Sequence, residues 1–222
     1  MAIPIEFKSA DDCMRPAQAP GSRMQEWSRR RDAQMLRKAL VMAGDPGLVL
    51  DLPCGKGLHW PVMVEKANRV VIAADQTLEA LEQAWAVHPA QLLKQIRPLQ
   101  SSAFAIDLSD SAVDSLVSLN WLQSVGDPDD RLQILREFYR VTRETVIVSL
   151  WIDGNFNAWR RQRGEHRRRA AGEMSPEPQR FVVARSVIEA EFRAAGFMIE
   201  RRLDFAMLCA MPRLYVLRKP WK

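Results

Sequence analysis

Cysteine and histidine are scarce in this 222-residue chain, three of each, and neither type clusters. Cys13, Cys54 and Cys209 are odd in number and widely spaced, which fits a reducing cytosol and argues against a zinc site. His59, His88 and His166 are equally scattered, so a metal centre built from protein ligands is not expected. No apolar run approaches the roughly 18 residues needed to span a bilayer, so integral membrane insertion is not expected either. The opening residues are acidic and broken by Pro4, unlike a secretory leader, and a cytoplasmic location is the expectation. A general excess of one charge is also missing. The formal charge of +5 comes from residues 160–169, which hold six arginines and one glutamate; outside them 26 basic residues face 26 acidic ones.

What the chain does have is enough apolar material, 47% of its residues, for one α/β domain with a sizeable core. Its most informative stretch runs from Asp51 to Gly57. The apolar run from Gly47 to Leu50 reads as a buried strand, Asp51 ends it, and Gly55 and Gly57 make a tight turn before an expected helix from His59 to Val64. Glycines there let the main chain take left-handed dihedrals and let a ligand lie directly on the backbone. The helix that follows would aim its free N–H groups at that ligand. A dinucleotide fingerprint needs a third small residue where Trp60 stands, and a Walker loop needs a hydroxyl after its lysine, which Lys56 lacks. Another nucleotide-type site, or an empty structural turn, are the competing readings.

The second buried strand, Asn68 to Asp75, also ends in a carboxylate, 24 residues after Asp51. That spacing suits an acid accepting both ribose hydroxyls of an adenosine, whereas the plainer reading of Asp75 is a helix cap. Thr77 is the expected cap of a helix from Leu78 to Val87. Residues 96–100 read as a short third strand followed by Ser101-Ser102-Ala103. A fourth strand lies in the run from Asp110 to Asn120. Asp127, Pro128, Asp129 and Asp130 form a strong start for an amphipathic helix to Val141. Residues 144–152 read as a fifth strand. A helix from Val187 to Ala195 should stop at Gly196, with strands from Phe197 and from Arg213 after it. Near the start, residues 1–22 read as an irregular leader. A helix from Ser22 to Ala43 would either lid the glycine turn or cover the sheet, with Gly44 and Pro46 as its stop.

The glycine turn resembles the first motif of the class I S-adenosylmethionine-dependent methyltransferases, an acidic residue followed by x-Gly-x-Gly-x-Gly, with Pro53 in place of the first glycine. The acid ending the second strand, the Asp110-to-Asp114 run with Val113 for a phenylalanine, and the final Ala-Gly-Phe helix end with two strands extend the resemblance over about residues 45–152 and 180–219. It implies a Rossmann-like, seven-stranded, mostly parallel sheet with its last strand antiparallel and helices on both faces. The methyltransferase domain would occupy residues 45–222, after a leader and cover helix over residues 1–44. It also implies S-adenosyl-L-methionine as cofactor, held by Asp51, Pro53, Cys54, Gly55, Gly57, Asp75, Gln76, Ser102, Ala103 and Asn120. The chain departs from the family at Pro53, at Ser102 where an acid is common, and at Gln123 where a histidine is common.

His59 is the histidine nearest the expected methyl position and the candidate base; Trp60 is the candidate pocket wall. An insert at about residues 153–178 sits where the family varies its acceptor-facing elements. There Trp159, Arg160, Arg161 and Arg163 are the candidate substrate contacts, because guanidinium forks bind phosphate or carboxylate bidentately. The acceptor is therefore expected to be a small or headgroup-sized anion such as a phosphorylated saccharide or lipid headgroup. RNA is the weaker choice, since only Trp159 interleaves the arginines as a stacking ring. The competing functional class is a catalytically weakened member that binds adenosyl ligands or a protein or RNA partner.

Overall fold

Seven runs form strands in the computed structural model, which describes residues 23–153, 181–204 and 212–220. They are β1 (Leu48–Asp51), β2 (Val70–Asp75), β3 (Ile96–Gln100), β4 (Val113–Ser118), β5 (Thr142–Trp151), β6 (Met198–Asp204) and β7 (Pro212–Arg218). One sheet contains them in the order β3-β2-β1-β4-β5-β7-β6. β1 to β5 pair in parallel, while β7 enters antiparallel between β5 and β6, as expected for this architecture. Register places Asp51 beside Ala73 and Val117, so the Asp75 end of β2 reaches two residues past β1.

Side chains alternate between two cores, as a period of two requires. Val49, Val71, Val117 and Ile147 pack on one face with Met35, Leu36 and Leu40 of α1 (Arg23–Met42), with Trp60 and Met63 of α2 (Trp60–Met63) and with Leu81 of α3 (Leu78–Val87). A short α4 (Ala90–Leu93) precedes β3. Leu50, Leu116, Val146 and Val148 pack on the other face with Ile134, Leu135 and Phe138 of α5 (Pro128–Val141) and Ile188 and Phe192 of α6 (Arg185–Ala194). A buried ion pair joins those two helices. Arg131 meets Glu191 through two bonds of 2.9 and 2.6 Å, and its remaining nitrogen donates to the Val125 and Gly126 carbonyls.

Most caps form where the residues call for them. Thr77 Oγ1 accepts the Ala80 N–H, and Asp127 accepts from Asp129 and Asp130. Gly44 and Gly196 end α1 and α6 at φ 86° and 102°. The expected Ser22 cap lies outside the described residues. Several boundaries differ from expectation by one or two residues, and for two helices the cause is a partner outside the helix. α6 begins at Arg185 rather than Val187, because Asp153 Oδ1 accepts the Arg185 N–H at 2.9 Å and caps the helix from 32 residues away. α2 is a single turn of four residues, because Arg69 donates to the Met63 carbonyl that would have continued it. Among the described residues no helix is long and apolar enough to cross a membrane.

Candidate functional site

At the carboxyl ends of β1 and β2, the segment from Asp51 to His59 crosses between two buried acids. Cys54 N–H donates to the Ala74 carbonyl at 2.8 Å, pinning the segment to β2. Gly55 and Gly57 take φ of 51° and 66°, left-handed values that non-glycine residues adopt only with strain. The Leu52–Pro53 peptide is cis, and Pro53 is half-buried. Gly55 N–H then donates to Asp75 Oδ2 at 3.0 Å, while Asp75 Oδ1 accepts the Gln76 N–H at 2.8 Å. Asp75 is fully buried beneath this turn.

Asp51 is buried too, and its Oδ2 accepts the Trp60 indole N–H at 3.0 Å. Burial pushes the Asp51 carboxyl up to about 7; the indole bond works against that shift and the nearby Asp75 charge adds to it. The Cys54 thiol is likewise driven up by burial and by both acids, so it is no nucleophile.

Trp60 corrects an expectation. Expected as a wall of the acceptor pocket, it is instead wholly buried, packed edge-on to Trp85 at 5.9 Å and against His88 at 4.9 Å. A tryptophan at this place satisfies its N–H on Asp51 and spends its ring on the core. Gly57 is therefore needed for packing as well as for its dihedrals: a Cβ there would lie 2.5 Å from the Trp60 ring. The helix end expected to face the ligand is also reduced, since α2 has one turn.

The other expected residues gather at the same edge. Ala103 is buried, and the half-buried Ser102 accepts the Phe104 N–H at 3.2 Å. Beside it, Ser101 N–H donates to the Asp75 carbonyl. Asn120 follows β4 at φ 57°; its N–H donates to Ser149 and its carbonyl accepts from Gln123. Ser118 Oγ at the end of β4 and Gln123 Oε1 in the turn after it are buried with no hydrogen-bond partner among the described residues. Asn120, Leu119 and Ser149 line a cavity of about 10 Å³ under Asp32 and Met35 of α1, room for one water. His59 is half-buried just before α2, and its side chain does not cap that helix. Trp159, Arg160, Arg161 and Arg163 lie outside the described residues.

The acid-glycine-acid edge lies within residues 50–150, which match the family model described as a methyltransferase domain. Over those residues the chain is similar to a methyltransferase domain. Over 121 residues it is 34% identical to a tRNA U34 carboxymethyltransferase of Shewanella frigidimarina (strain NCIMB 400). That alignment takes in 50% of this chain but only 33% of the relative, so the chain spans about a third of that protein's length. The fold matches magnesium protoporphyrin IX methyltransferase of Synechocystis PCC 6803 with bound SAH, at TM-score 0.69 and 15% identity, covering 92% of this chain and 90% of the other. It also matches a SAM-dependent methyltransferase from Aquifex aeolicus at TM-score 0.61 and 18% identity, covering 89% and 99%.

The residues at this edge fit an adenosyl group with one exchange. Two buried carboxylates, two left-handed glycines and unpartnered polar atoms beside Asn120 are the donors and acceptors a polar cofactor needs. The exchange is at Asp75: a ribose hydroxyl can bond Oδ2 only if the Gly55 N–H shares or leaves it. Sequence reasoning did not single out His88, and named Gln123 only as a departure from the family. His88 has no local signature, being brought to the turn by α3 packing, and Gln123 shows itself only through the Asn120 carbonyl.

Proposed function

We propose that this chain is an S-adenosylmethionine-dependent methyltransferase whose acceptor carries phosphate. The observation that carries the reading is the pair of buried acid tips, Asp51 and Asp75, flanking a left-handed glycine turn inside a methyltransferase domain. When bound, the cofactor supplies a sulfonium methyl with its leaving group already in place. Asp75 would orient the ribose, with Pro53, Cys54, Gly55, Gly57 and Gln76 shaping the wall beside it. Ser102 and Ala103 would meet the adenine, and Asn120 the aminoacyl end. Asp51 would act indirectly, fixing the turn through Trp60. The chain's main contribution to rate is then placement, worth at most about 7–11 kcal/mol. His59 is the candidate base if the acceptor atom must lose a proton.

The phosphate reading rests on charge. Residues 160–169 carry net +5 in the sequence. The flanks of that stretch, Ile152 and Val183, pair at the carboxyl end of β5, at the same sheet edge as the glycine turn. Arg185, Arg193 and Arg202 all pair with Glu189 near the Val183 flank, and Asp153 accepts the Arg185 N–H. The tRNA acceptor named for the 34% identical relative is itself a polyphosphate, and favours RNA more than the arginine run does alone.

A second reading, an adenosyl binder without turnover, is favoured by the closed turn over Asp75. Titration calorimetry with S-adenosylmethionine and S-adenosylhomocysteine, followed by tritiated-methyl transfer to small phosphorylated metabolites or to tRNA, tests all of this. Binding and transfer support the enzyme; binding with no transfer to either pool supports the binder; no binding rejects both.

A further inference from the structure

The glycine turn is tied down on two sides. On the ligand side, β2 holds it through the Cys54 N–H to Ala74 bond and the Gly55 N–H to Asp75 bond. On the far side stands His88, the residue just after α3, with its Nε2 3.1 Å from the Lys56 carbonyl. A carbonyl oxygen can only accept, so Nε2 carries the proton and donates. The same ring lies on Trp60, with centroids 4.9 Å apart, and Trp60 in turn donates to Asp51. His88 thus touches both the peptide between the two glycines and the prop beneath it. The absent Cβ of Gly57 makes room for this, because an added carbon would fall 2.8 Å from His88 Nε2.

The consequence follows from the exchange at Asp75. If a ribose takes Asp75 Oδ2, the Gly55 N–H must share or leave that oxygen, and one of the two ligand-side ties is weakened while the ligand binds. The Lys56 tether uses neither Asp75 nor the Gly55 N–H. We propose that His88 is a positioning residue for the cofactor turn, holding the Lys56–Gly57 peptide in place while Gly55 shifts. This rests on the reading of the turn as an adenosyl site.

The test uses the full chain and two variants. Glutamine can place an amide N–H near the position of the imidazole Nε2, whereas phenylalanine keeps a ring and has no donor. His88→Phe should bind S-adenosylhomocysteine about fivefold or more weakly, and His88→Gln within about twofold of the parent. Thermal melts of both should stay cooperative. In the unliganded protein, amide exchange at Gly57, whose N–H donates to Cys54 O, should speed up in His88→Phe and not in His88→Gln. Unchanged affinity and exchange in His88→Phe would overturn the proposal. So would equal losses in both variants, which would assign His88 to packing alone. If the parent chain fails to bind S-adenosylhomocysteine, the adenosyl reading falls and the positioning role falls with it, while faster exchange in His88→Phe alone would still establish the tether.

Discussion

Asp51→Asn should make this protein more stable at alkaline pH. The parent carboxyl ionises near 3.8 in the unfolded chain and near 7 in the fold. Between those values the folded state holds a proton that the unfolded state has released, so stability falls as pH rises. The full difference corresponds to roughly 4 kcal/mol, present below the unfolded value and lost once pH passes the folded one. Asparagine does not titrate, and its amide oxygen can still accept the Trp60 indole, so the variant escapes that loss. Urea unfolding of both proteins from about pH 5 to about pH 8 should show the variant gaining on the parent at each step. A gain of half the full figure would still agree, since water entering near an ionised Asp51 relieves part of its cost. A stability difference that does not change with pH, or a variant less stable at about pH 8, would refute the assignment of Asp51 as a buried, proton-holding acid.

Gly57→Ala should cost about 3 kcal/mol in urea unfolding, combining a left-handed backbone with a Cβ driven into Trp60 and His88. Glu191→Ala leaves Arg131 charged and buried between α5 and α6, and should cost about 3–5 kcal/mol in the same assay. Glu189 is held near 2, chiefly by its bond to Arg202; the stability it adds, at most about 3 kcal/mol, should be complete above pH 4.5 and vanish as pH falls through 2. Glu189→Gln should flatten that acid limb in a pH series of thermal melts. Asp75→Ala should weaken S-adenosylhomocysteine binding by about 1–3 kcal/mol in calorimetry, and unchanged affinity would remove Asp75 from the ribose role.

The β1-turn-β2 frame was legible because its signals are local: apolar runs of strand length, each ending in an acid, and glycines where the chain must bend back. The antiparallel last strand followed from the order of elements after Gly196 in the resembling family. What stayed hidden depends on partners distant in sequence. α2 stops after one turn because Arg69, reached by a loop, takes the Met63 carbonyl. Trp60 looked like a pocket wall because a large ring beside a glycine turn is an obvious lining. It is core because Trp85 and His88 arrive from α3 to cover it. Asp75 was legible as a strand-end acid, but its bond to Gly55 could not be read from spacing, since the turn had to fold onto it first. The start of α6 likewise moved because its cap, Asp153, comes from the end of β5.

The central claim is that the edge between Asp51 and Asp75 seats an adenosyl group, and the most direct measurement is a calorimetric titration with S-adenosylhomocysteine alongside amide exchange at Gly55. Saturable one-to-one binding, with the Gly55 amide changing its protection as it leaves Asp75, is the predicted result. Absence of binding heat, with Gly55 protection unaltered at high ligand, would contradict it.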